Sequence, residues 1–225
     1  REMTVKAGQK CTAIRRIIAP ERQVPAVIEA LSAQLAKTPI GDPRDKGTRM
    51  GALVSNGQKR DVLEKAKVIG AEAERVFGDP DDFEVHGADG AKGAFLPPML
   101  FHCADPDKAE RIHDTEAFGP VSTVMGYRDL GHAVQIANRG GGSLVASVIT
   151  HDPAVAREVA LGAGAVSRFT LQKEDASMAA FYLISLALGV LIVSMRGSSV
   201  DLMQVLFGTV LALNDEALTL IGSIC

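Results

Sequence analysis

Twenty consecutive residues, Ala176 to Met195 (ASMAAFYLISLALGVLIVSM), carry no charge. A helix of that length rises about 1.5 Å per residue and spans roughly 30 Å, the thickness of a bilayer core. Only scattered Ser and Tyr interrupt its apolar surface, whereas a helix buried in a soluble protein usually keeps one polar face. The pattern predicts a transmembrane α-helix over residues 176–195. Charge follows the same division: beyond Ala176 the only basic residue is Arg196, and the only acidic ones are Asp201, Asp215 and Glu216. Lys173 and Arg196 flank the apolar run almost symmetrically, so the basic-residue bias does not set its orientation. Two parts made for different solvents are expected, residues 1–166 and residues 167–225.

The first part alternates two periodicities. Thr12–Ala19 is β-branched and closed by Pro20, which reads as a strand leading away from Cys11. Val24, Val27, Ile28, Leu31 and Leu35 recur at helical spacing and predict a helix over Pro25–Lys37. Val62, Leu63, Ala66, Ile69 and Ala73 predict a second over Asp61–Val76, ended by Gly78-Asp79-Pro80. Strands are expected at Ala94–Phe101, Val121–Tyr127 and Leu144–Thr150, and helices at Leu130–Asn138 and Pro153–Leu161. Strands alternating with helices mean an α/β layered domain with a mostly parallel sheet.

A net charge of -3, no basic cluster and no Trp exclude the usual nucleic-acid surface, so no nucleic-acid partner is expected. Cys11, Cys103 and Cys225 lie far apart with no paired spacing, which suggests neither a disulfide framework nor a zinc site. A reducing cytoplasm suits residues 1–166. His86, His102, His113, His132 and His151 show no ligand spacing, so no metal is expected and they are assigned to the surface or to loops. Arg1–Arg16 is polar and not a cleavable signal, and the missing initiator Met is read as a cut end. Gly140-Gly141-Gly142-Ser143 runs from a helix into a strand, the reverse of a phosphate loop, and reads as a flexible connector.

Taken alone, Cys11 in Gly8-Gln9-Lys10-Cys11-Thr12 is more simply a small buried hydrophobe than a nucleophile. About 105 residues later stands Glu116-Ala117-Phe118-Gly119-Pro120-Val121. Between them lie Gly41-Asp42-Pro43, Met50-Gly51-Ala52-Leu53 and Phe95-Leu96-Pro97-Pro98, and Ala137-Asn138 precedes Ala146–Thr150. Together these resemble the aldehyde dehydrogenase superfamily continuously from Arg1 to Val166, and the stretch Met3–Cys11 is most similar to its phenylacetate-degradation branch. That resemblance implies an incomplete catalytic-domain-like layered sheet, aldehyde oxidation with NADP or NAD, and a CoA-linked semialdehyde as substrate. It assigns Cys11 as the nucleophile, Glu116 to the nicotinamide ribose hydroxyls and Phe118 to the nicotinamide ring. Without the resemblance, Glu116 is a solvated carboxylate and Phe118 a core aromatic.

The family's dinucleotide domain, its general-base glutamate and the asparagine of its oxyanion hole come mainly before the cysteine, in a region outside this sequence. The chain is therefore expected to be inactive by itself, and the family's homo-oligomer is not expected to be preserved. After Leu161–Val166 the resemblance stops at Ser167-Arg168-Phe169-Thr170. Residues 175–225, above all Ser198–Ala212, resemble the permease subunit of zinc or manganese ABC importers. The alternative function is accordingly a transporter-permease fragment fused to a non-functional enzyme piece, located in the membrane.

Overall fold

The computed structural model describes residues 1–141 and 143–169. Residues 176–195, where a membrane span is expected, lie outside them; among the described residues no helix is long and apolar enough to cross a membrane. Arg1–Val166 forms one compact unit.

Four strands make its sheet: β1 (Arg16–Pro20), β2 (Glu74–Phe77), β3 (Met99–Cys103) and β4 (Val121–Tyr127), in the order β1-β4-β3-β2. β1, β4 and β3 run parallel, and β2 pairs antiparallel with β3 at the far edge. Alternate side chains of the central strands enter two cores. Met99, Phe101, Val121 and Met125 face one side with Val62, Ala66 and Ile69 of helix α2 (Asn56–Gly70). Leu100 and Val124 face the other with Val24, Leu35 and the partly buried Val27, Ile28 and Leu31 of α1 (Val24–Leu35). Burial on both faces is why apolar residues stand at consecutive positions in β3 (Met99, Leu100, Phe101) and β4 (Val124, Met125).

Three further helices follow: a single turn α3 (Arg111–Asp114), α4 (Leu130–Asn138) and α5 (Pro153–Phe169). The Oδ1 of Asp129 caps α4 by accepting from the His132 N–H at 2.8 Å, and α5 starts with Pro153, which has no N–H to leave unpaired, while the Asp152 Oδ1 accepts from the Ala154 N–H at 2.8 Å.

Several elements depart from expectation. α2 starts at Asn56, where Ser55 Oγ accepts from the Gln58 N–H, and it stops at Gly70. Residues 74–77 leave the helix because Glu74, Arg75 and Phe77 find backbone partners on His102, Phe101 and Leu100. The strand expected from Ala94 begins only at Met99, since Pro97 and Pro98 have no N–H to give a ladder. Leu144–Thr150 is not a strand: its β-branched alternation is a local preference, and among the described residues no neighbouring strand offers it hydrogen bonds. Leu144, Val145, Val148 and Ile149 consequently stand exposed. α5 continues past Leu161 to Phe169.

Two histidines are not on the surface. His113 is buried on α3, with its Nδ1 3.2 Å from Arg16 Nη1 and its Nε2 2.9 Å from the Pro106 carbonyl. The guanidinium can only donate, so Nδ1 is the acceptor and the proton sits on Nε2. His132 is buried on α4; its Nδ1 accepts from the Arg128 N–H and its Nε2 faces Asp107 at 2.9 Å. The glycine connector is also tethered, because Arg15 donates to the Gly141 carbonyl and to Ser143 Oγ.

Candidate functional site

Cys11 is exposed on the loop that precedes β1. The approach to it is strained. Lys6, Ala7 and Gly8 have φ of 53°, 51° and 71°, a run of left-handed residues in which two are not glycine. A non-glycine residue there costs about 1–2 kcal/mol, and such strain persists only where the surroundings over-determine it. Here they do. A Cβ on Gly8 would fall inside the backbone of Gly119 and Pro120, so only glycine permits this approach. Ala7 is buried in the core, and the Gln9 Oε1 accepts from the Val54 N–H at 2.9 Å.

Gly119 follows directly on Phe118, which adopts φ 50°, the other left-handed non-glycine residue among the described ones. That twist keeps the ring out of the core, at 37% exposed, rather than buried as a core aromatic would be. Glu116 is exposed as well, just after α3. The fold therefore sets the thiol loop, through Gly8 and Gly119, beside the turn that carries Glu116 and Phe118.

Glu116 and Phe118 share an open cleft of about 710 Å³ with Gln58, Asp61 and Lys65 of α2 and Arg111, Asp114 and Thr115 of the α3 turn. Nothing in the sequence reading singled out these added residues. Gln58, Asp61 and Lys65 recur at three- and four-residue spacing on the polar face of α2, a signal indistinguishable from an ordinary solvated face. Lys65 pairs with Asp61 at 3.0 Å.

The α3 turn is held from below by Glu72. Its carboxylate accepts from the N–H groups of Glu110, Arg111 and Ile112 at 3.0 to 3.2 Å. Partial burial alone would raise this carboxyl group's pKa, but the three amides outweigh that and hold it below the usual glutamate value. Behind the cleft, burial lowers the Arg16 guanidinium to about 10 while its Nη1 and Nη2 cap the last carbonyls of α4 at Ile136 and Ala137. The neutral state of His113 is likewise favoured by burial, which lowers its pKa.

A mostly parallel sheet covered on both faces thus carries an exposed thiol on a strained loop that abuts, through Gly8 and Gly119, the turn bearing Glu116 and Phe118. The model of the aldehyde dehydrogenase family matches residues 1–181, and this chain belongs to that family. A second model, that of the ABC 3 transport family, matches residues 140–225 and so overlaps the first. The 3,4-dehydroadipyl-CoA semialdehyde dehydrogenase of Aromatoleum evansii is 48% identical over 162 residues, covering 72% of this chain and 32% of that protein. Protein MaoC of Klebsiella aerogenes is 45% identical over 115 residues, 51% of this chain and 32% of its own length. The betaine aldehyde dehydrogenase of Staphylococcus aureus, solved in complex with NAD+, superposes with a TM-score of 0.60 at 27% identity, over 72% of this chain and 31% of that one. The chain spans about a third of the length of these relatives.

Proposed function

We propose that this chain is the thiol-bearing part of an NAD(P)-dependent aldehyde dehydrogenase whose substrate is a CoA-linked semialdehyde, with residues 1–166 as the catalytic-domain piece. The observation that carries this reading is the seating of the Cys11 loop, through Gly8, against the Gly119 that follows Glu116 and Phe118. The substrate class is supported by the similarity to a 3,4-dehydroadipyl-CoA semialdehyde dehydrogenase.

Cys11 as thiolate attacks the aldehyde carbon, and the carbonyl π pair moves onto oxygen to give a thiohemiacetal alkoxide. Among the described residues the Cys11 N–H has no hydrogen-bond partner, which leaves it free to donate to that oxygen. Collapse of the alkoxide expels a hydride and leaves a thioester on Cys11. A bound nicotinamide dinucleotide supplies the acceptor for that hydride. The residues present fit one side of such a group: Glu116 offers a carboxylate to ribose hydroxyls and Phe118 an aromatic face to the ring, both in the same open cleft. Water then hydrolyses the thioester, a step that needs a positioned base.

Acylation by p-nitrophenyl acetate tests the nucleophile without any dinucleotide. The full chain should release a burst of p-nitrophenolate and carry the acetyl group on the Cys11 peptide, and Cys11→Ser should abolish both. A burst that survives Cys11→Ser refutes the assignment. For the substrate class, a CoA-linked semialdehyde should protect Cys11 from iodoacetamide at lower concentration than the free semialdehyde; equal protection removes CoA from the reading.

A second reading, that residues 167–225 are a permease-type membrane segment, is supported by the ABC 3 transport match. Extraction of the full chain from membranes by alkaline carbonate would refute it.

A further inference from the structure

We propose that Gln9 is a positioning residue for the Cys11 thiol, acting by locking the thiol loop to the head of α2. This rests on the reading of Cys11 as the nucleophile. The Gln9 side chain meets the Val54 backbone N–H at 2.9 Å, and an N–H can only donate, so the Gln9 Oε1 must be the atom turned towards it. Val54 sits between two fixed points. The Leu53 N–H donates to the Ala94 carbonyl, and Leu53 is 4% exposed; Ser55 caps α2. The contact therefore fastens the thiol loop to rigid structure rather than to another mobile loop.

The loop needs such a fastening. Lys6 and Ala7 are both left-handed, and among the described residues the backbone of the turn from Gly8 to Ala13 is bonded only at short range, Gln9 N–H to the Lys6 carbonyl, Lys10 N–H to the Gly8 carbonyl and Ala13 N–H to the Lys10 carbonyl, each at 3.0 Å, while the Lys10 ammonium pairs with the nearby Glu2 carboxylate. Short-range bonds leave the turn free to swing as a body. Two contacts oppose that swing. Gly8 abuts Gly119 on the Phe118 side, and Gln9 reaches Val54 on the α2 side. Phe118, which precedes Gly119, and Gln58, in the first turn of α2 after Val54 and Ser55, both line the open cleft described above. Gly8 supplies only a steric stop, which resists approach but not withdrawal. Gln9 supplies the directional bond, so it sets where the thiol stands relative to α2 and to the Phe118 turn.

Misplacing a reacting group by about 1 Å can cost on the order of 100-fold in rate, whereas simple alkylation asks only for an exposed thiolate. The test compares the full chain with its Gln9→Ala, Gln9→Glu and Cys11→Ser variants in two assays: the p-nitrophenyl acetate burst, and the pH profile of iodoacetamide alkylation of Cys11. Gln9→Ala is expected to slow the burst by at least about tenfold while leaving the alkylation plateau within about twofold. Gln9→Glu retains an acceptor for the Val54 N–H and should recover most of the burst, measured above the alkylation midpoint so that its added charge is not limiting. An unchanged burst in Gln9→Ala overturns the proposal. So does a parallel fall of burst and alkylation with a lowered melting temperature, which marks a merely structural role. A burst that persists in Cys11→Ser instead removes the nucleophile reading on which the proposal stands, a result that the Gln9 variants cannot mimic.

Discussion

Removing the Glu72 carboxylate should loosen the wall of the cleft in a way that can be worked out from its contacts. Glu72 accepts from three successive amides, those of Glu110, Arg111 and Ile112. Glu110 and Arg111 are exposed, so water replaces the carboxylate there at little cost, while Ile112 is buried at 2% exposed and its N–H is harder to resolvate. One poorly replaced charged hydrogen bond and two well-replaced ones put Glu72→Ala at about 1–2 kcal/mol, the upper range for losing a helix cap. For a unit of this size that corresponds to a fall in Tm of roughly 2–8 °C. The assay is thermal unfolding followed by circular dichroism, at neutral pH and then at decreasing pH. Because the folded pKa of Glu72 lies below the ordinary 4.5 of a glutamate, its stabilisation is complete above 4.5 and is lost as pH falls through the folded value. The gap between wild type and Glu72→Ala must therefore close on acidification below 4.5. A gap below about 0.5 kcal/mol at neutral pH, or one that stays constant in acid, would falsify the assignment of these amides to the ionised carboxylate.

Three further outcomes can be checked directly. His113 is buried beside Arg16 and its folded pKa lies below the ordinary 6.5, so the unfolded chain takes up its proton first; stability should fall as pH drops below 6.5, by at most about 1.4 kcal/mol per pH unit from this group, and His113→Asn should flatten that slope in a denaturation series. Lys6 is exposed with φ 53°, so Lys6→Gly should stabilise by about 0.5–1 kcal/mol in urea unfolding, the relief of left-handed strain less the greater freedom of glycine when unfolded. Ile149, at 97% exposed, contributes nothing to the core; Ile149→Lys should leave Tm within the roughly 0.5 kcal/mol scatter of surface changes, and a larger loss would mean that residues 144–150 are packed after all.

The sequence by itself determined the elements whose pattern is both local and long. α1 and α4 carry apolar residues at helical spacing over several turns, and β4 is a β-branched run bounded by Pro120 and the turn at Arg128. Residue order alone also tied Cys11 to Glu116 and Phe118 as a set, by resemblance. It did not show how they meet. Only the tertiary structure decided that Gly8 rests on Gly119, that Phe118 is twisted outward, and that α2 lends its polar face to the same cleft. It also decided the fate of two segments that local pattern misread. Residues 74–77 became a strand because β3 offers them a ladder, and residues 144–150 did not because no strand among the described residues does. The physical reason is common to all these cases. Helical hydrogen bonds close within a few residues of one segment, so sequence can announce them; a strand, a buried histidine or a shared cleft depends on groups far away in the chain, and their presence is settled only when the chain has packed.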